Sequence, residues 1–297
     1  MIRERTQGLA FIILAAMALL FSMFLQPFSL HVEIVAIALL IIVFGLPHGA
    51  LDPIFAKNLL QIKTTARWAM FVFLYLMLAS LVVVFWWLSP FLFLVFFLLC
   101  SVFHFSGDLA SGTAVATRFL YGGACIVLPA ALHAPQLGEI FALLVGQERG
   151  VFLADFLHVL AWPWLAALCL ASLQTLARDW LASLEIFAVS SLVLVLSPLL
   201  GFTLYFCAMH SARHIVRSKN YAGMTYLAVA GVSVLPLFFL AVMVALGWRF
   251  LPQSSLDERI IQFVFVGLAA LTVPHMALVE RIRFLGWSQT VQHERNG

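Results

Sequence analysis

The sequence predicts an all-α integral membrane protein, a single polytopic bundle of about ten transmembrane helices. Two observations predict it. Of 297 residues, 64% are apolar and only 10% charged, against roughly 45–50% and about 25% in a soluble domain. Such a chain has too few polar side chains to cover a core, and it is too hydrophobic to stay disordered. The apolar residues also fall in runs of about 20, the number needed to cross a hydrocarbon core at about 1.5 Å per residue.

Taken in order, the first run, 8–26, follows Arg3 and Arg5. It is too long for a signal-peptide core and no small-x-small cleavage site follows, so it is expected to be retained. The second is 32–52. Ser89-Pro90 separates the third, 68–88, from the fourth, 91–107, because proline lacks a backbone donor and disfavours helix at the residue before it. The fifth is 118–134, and the stretch 135–150, with QLGEIFALLVG, is read as an outside loop rather than a surface-lying helix. The sixth is 151–172. An unbroken helix over 181–216 would be about 54 Å long, far more than a bilayer core. Ser197-Pro198 is therefore expected to divide it into spans 181–196 and 198–216. The ninth and tenth are 225–247 and 260–280.

With the N-terminus in the cytoplasm, only Arg149, Arg249 and Arg259 of the 16 Lys and Arg lie outside. That asymmetry sets orientation, so both termini are expected in the cytoplasm and the protein in the cell (inner) membrane. The net charge is +3 and the basic residues come in ones and twos, which excludes a nucleic-acid stripe. The four cysteines, Cys100, Cys125, Cys169 and Cys207, stand far apart in apolar runs and read as small buried residues. Short connections and uniform composition leave one domain, so any chemistry happens among the helices.

Histidine carries the functional signal. There are nine. His31 and His133 lie at outer span ends and His293 in the C-terminal tail. His48, His104, His210, His214 and His275 all lie on spans that run outward to inward. Counting residues puts these five roughly 18–24 Å from the outer edge, in one thin layer of the cytoplasmic half. His158 lies only about 10 Å down. His210 and His214 are four apart and share a helix face. Asp52 follows His48 by four, and Asp108 follows His104 by four. A carboxylate there can accept a ligating histidine's second N–H and offset an ion's charge. Polar groups inside spans mark function, and this pattern points to a metal site.

Residue types leave the ion open, since imidazole suits zinc, copper, iron and nickel. They also leave open a membrane metal or haem carrier, although the outer half offers few polar residues beyond His158 and Asp155. The 28 phenylalanines can line a slot for a long flat hydrocarbon or simply pack and face lipid.

Four segments, GLPHGALD at 45–52, FHFSGD at 103–108, MHSARH at 209–214 and TVPHMALVE at 272–280, resemble the Brp/Blh family of bacterial and archaeal membrane β-carotene 15,15'-dioxygenases. The resemblance runs from the second span to the tenth, with no matching motif over 109–200. It implies an Fe(II) enzyme that splits β-carotene at its central double bond with O2 into two all-trans-retinal molecules, in functional partnership with a microbial rhodopsin. It carries the iron-ligand role to His48, His104, His210 and His214. His275 sits in a family motif without a direct ligand role, and with Asp52 and Asp108 it is expected to support the ligands. No separate general acid or base is expected. With the histidines on the cytoplasmic side of the midplane, the carotene is expected to lie tilted or flat, in a slot opening sideways to lipid.

Overall fold

A computed structural model describes residues 2–24, 29–110, 112–248 and 255–284. Arg249, His293 and Arg295 lie outside the described residues, as do Trp287 and the end of the C-terminal tail. Every regular element among the described residues is helical.

Helix α1 spans Ile2–Ser22. Helix α2, Leu30–Leu40, starts where the Ser29 side chain accepts from the Val32 N–H. It does not run on as a regular helix. A π segment, Ile41–Gly45, and a 3-10 turn, Leu46–Leu51, lead into α3, Asp52–Leu59. Pro47 has no N–H to return to the preceding turn, and π and 3-10 turns absorb the defect. Helix α4, Thr65–Leu88, is capped by Thr64. Pro90 opens α5, Pro90–Phe105, so Ser89-Pro90 is the expected break. Helices α6, Val115–Val127, and α7, Pro129–Val145, meet at a 43° bend. Gly146, at φ 86°, turns the chain into α8, Gln147–Leu176.

Helix α9, Trp180–Val195, ends before Pro198 as expected, and α10 is Pro198–Tyr205. A second π segment, Phe206–Ser211, leads into α11, Ala212–Ala222. Left-handed Gly223 (φ 64°) closes α11, and the chain bends by 110° into α12, Tyr226–Gly247. Helix α13 is Leu256–Phe284.

Among the described residues, five helical stretches are long and apolar enough to cross a membrane, and up to seven if each bent pair makes one crossing. Helices α5 and α9 have 16 residues each, about 24 Å. The exterior is apolar: on α4, Met70, Phe73, Leu74, Leu76 and Leu81 are exposed, and Val82 alone is buried. The buried set holds His48, Asp52, His104, Asp108, Glu185, His210, Arg213, His214 and His275. Apolar outside and ionisable inside is the arrangement of a bundle solvated by lipid.

The loop expected over 135–150 is corrected. Helix α7 occupies it and packs along α8. Leu137, Ile140, Phe141 and Leu144 recur at helical spacing and are buried, while Gln136 and Glu139 face out. The contact is close because Gly150 lies against the Ala142 backbone, where a Cβ would collide. Small residues allow such an approach between membrane helices.

Candidate metal centre

The two π segments lie against each other and set the site. The Ser211 hydroxyl donates to the carbonyls of Phe44 (2.7 Å) and Gly45 (3.1 Å). It satisfies acceptors that the irregular Ile41–Gly45 turn leaves without a regular helical donor. Gly45 also makes room for the Phe206 ring, which a Cβ would strike.

Around this junction five imidazoles meet. His48, on the 3-10 turn, has ring centroids 5.1 Å from His210, 5.6 Å from His214 and 5.2 Å from His275. His104, in the last turn of α5, lies 4.6 Å from His210 and 5.2 Å from His275. His214, on α11, lies 4.9 Å from His275. All five are buried. His48, His104 and His275 each offer one nitrogen, and those three atoms lie within 4.8 Å of one another.

The orientation of the rings is fixed from behind. His48 donates through Nδ1 to the Gly45 carbonyl at 2.5 Å. His210 donates through Nδ1 to Asp108 Oδ1 at 3.0 Å, and Tyr205 donates to Asp108 Oδ2 at 2.7 Å. His275 donates through Nδ1 to Asp52 Oδ1 at 2.6 Å, and Tyr75 donates to Asp52 Oδ2 at 2.8 Å. An ionised carboxylate only accepts, so each ring keeps its proton on Nδ1 and turns the Nε2 lone pair inward. The carboxylates thus serve other imidazoles than the four-residue spacing implied: Asp52 faces His275 rather than His48, and Asp108 faces His210 rather than His104. Sequence spacing sees one helix, whereas these pairs form between helices.

Among the described residues, both His104 nitrogens and the Nε2 atoms of His210 and His275 are buried without a hydrogen-bond partner. Leaving such groups unmade costs about 1–3 kcal/mol each. A cation at their focus supplies the missing partner, and Asp52 and Asp108 offset the charge of a divalent ion. The donor set therefore fits a transition metal that takes imidazole.

The other three described histidines have separate partners. His31 pairs with Asp257 at the surface at 2.5 Å, His133 reaches the Val195 carbonyl at 3.2 Å, and His158 donates to the Ala130 carbonyl at 2.7 Å.

Sequence reasoning missed a buried polar brace. Arg213 makes two bonds to Glu185, at 2.9 and 2.6 Å, and also donates to Gln7 Oε1 and to the Asp108 carbonyl. Arg217 binds the carbonyls of Gly107 and Asp108 and pairs with Glu4. The two arginines clamp the backbone that carries Asp108. The topology counts Arg213 among the cytoplasmic-side charges, at the inner end of the 198–216 span, and the structure buries it. Its position between His210 and His214, and an acidic residue inside an apolar run at Glu185, were the available signals.

A pocket opens on two of the histidines, and a larger, more apolar one lies next to it. The first is lined by His48, His104, Ser101, Thr272 and the rings of Phe97, Phe105, Phe202 and Phe206. The second shares Phe97, Ser101 and Phe202 and continues to Pro129, Phe141 and Pro198. From Phe206 back to Pro198 the path follows α10 for about 12 Å. Residues of α5, α7, α10 and α13 line the two pockets, and Phe97, Phe141, Phe202 and Phe265 are among them.

The sequence pattern of the family described as "Beta-carotene 15,15'-dioxygenase" matches residues 39–283. The chain is 31% identical to a protein of uncultured marine bacterium 66A03 named "Beta-carotene 15,15'-dioxygenase", over 82% of this chain and 92% of that one. It is 26% identical to "Probable beta-carotene 15,15'-dioxygenase Blh" of Halobacterium salinarum, over 92% of this chain and 90% of that one. No solved structure matches.

Proposed function

The chain belongs to the beta-carotene 15,15'-dioxygenase family, and from that membership we propose that it is an enzyme that cleaves β-carotene at the 15,15' double bond with O2 to give two all-trans-retinal molecules. The observation that carries the reading is the meeting of buried imidazoles, several with bare nitrogens, at the end of an apolar, phenylalanine-lined cavity. His48, His104, His210 and His214 would hold Fe(II), with Asp108 behind His210 and with His275, backed by Asp52, beside them. The iron supplies dioxygen chemistry that no side chain here can perform. The chain's own part is positional. Gly45 O and Asp108 fix the tautomers of His48 and His210. Phe97, Phe202 and Phe206 guide a polyene along α10 toward His48 and His104. Burial keeps bulk water from the reacting bond.

An apolar lining favours this reading over a metal or haem carrier, whose path would need polar groups. The asymmetry of basic residues supports cytoplasmic termini, the inner membrane and a bundle of about ten crossings that includes the short α5 and α9. All-trans-retinal would serve a microbial rhodopsin. The test is expression in carotene-producing bacteria. Loss of orange colour with appearance of retinal is expected, and its abolition by His48→Ala or His104→Ala. Undiminished carotene with well-expressed protein overturns the proposal.

A further inference from the structure

Resting on the metal-centre reading above, we propose that His275 binds the ion directly, as a fifth imidazole, and that Asp52 and Tyr75 hold it there. A merely supporting histidine would donate or accept a bond to one of the ligands. Among the described residues, the His275 side chain makes its hydrogen bond to Asp52, and its Nε2 is buried without a partner. With the proton committed to Asp52 through Nδ1, the lone pair lies on Nε2. That side of the ring faces the cluster, with His48, His104 and His214 rings at 5.2, 5.2 and 4.9 Å. One nitrogen of His275 lies within 4.8 Å of one from His48 and one from His104, a grouping that could hold an ion.

The build behind the ring repeats that behind His210. Each imidazole gives Nδ1–H to an aspartate, and each aspartate takes its other bond from a tyrosine: Tyr205–Asp108–His210 and Tyr75–Asp52–His275. Orienting carboxylates of this kind stand behind ligands. The arrangement also recruits α3, α4 and α13 to the centre, so the ion ties together helices from both ends of the chain.

The experiment uses the full chain purified in detergent and loaded with cobalt(II), whose visible absorption reports the number of donors. His275→Ala is expected to change that spectrum and weaken cobalt affinity at least tenfold, and added free imidazole is expected to restore the wild-type spectrum. A wild-type spectrum with wild-type affinity in His275→Ala overturns the proposal. Should that variant not fold, Asp52→Asn decides. It keeps the imidazole but loses its anchor, and affinity is expected to fall about 10–100-fold; unchanged affinity overturns the proposal. If the wild-type chain itself takes up neither cobalt nor iron, the metal-centre reading falls, and this inference with it.

Discussion

Replacing Glu185 by alanine removes both carboxylate oxygens from Arg213, at 2.9 and 2.6 Å, where each side chain is only 5% exposed. The guanidinium keeps Gln7 Oε1 at 2.8 Å and the Asp108 carbonyl at 3.0 Å, but its charge loses its counterion inside an apolar bundle. Breaking one side of a buried pair costs about 3–5 kcal/mol. At about 1.4 kcal/mol per tenfold, that is roughly a 10²–10⁴-fold loss in the folded-to-unfolded ratio. Unfolding by dodecyl sulfate in mixed micelles, followed by tryptophan fluorescence, measures it. The double variant Glu185→Met with Arg213→Met removes both charges and should recover most of the loss, since an apolar replacement of the whole pair is often neutral. A single variant within about 1 kcal/mol of wild type, or a double variant no better than the single, would refute the argument that an unpaired buried charge sets the cost.

Asp108→Asn takes the anionic acceptor from His210, so affinity for iron(II) or cobalt(II) should fall about 10–100-fold by titration while the fold persists. Phe141→Trp overfills the far part of the larger cavity, at about 1–3 kcal/mol of strain. It should depress turnover of β-carotene at least tenfold and spare a shorter polyene, as read by product chromatography. Gly122→Ala drives a methyl into the Val102 carbonyl and the Ser106 backbone. It should separate α5 from α6 and lower the thermal midpoint in detergent, by about 1–3 kcal/mol of overpacking.

The meeting of His48, His104, His210, His214 and His275 was legible because helical rise is constant: counting residues along parallel spans gives depth without knowing which helices touch. Ser89-Pro90 and Ser197-Pro198 were legible for a similarly local reason, the missing proline N–H. The partners behind the rings were not. Asp52 lies four residues from His48 and yet faces His275, 223 positions away, because lateral packing decides it. The Arg213–Glu185 pair was hidden because an arginine beside a span end looks like a solvated charge until its neighbours are known. Helix α7 was hidden by its glycine and its polar face, although Leu137, Ile140, Phe141 and Leu144 already spelled a helical stripe. The π segments left a weaker trace: Pro47 marks the first, and nothing in FCAMHS marks the second.

A π turn holds one more residue than the α turn it replaces, and one residue of a regular helix is about 100° of rotation. Deleting a single residue between Phe206 and Met209 would therefore leave every histidine in the chain while swinging one end of this helix about its axis relative to the other. His210 and His214 would then aim differently from the partners that precede them, and a tally of retained histidines would pass the damaged protein as whole. What this stretch of chain stores is a tally of residues as much as their kinds, and the margin for miscounting is one.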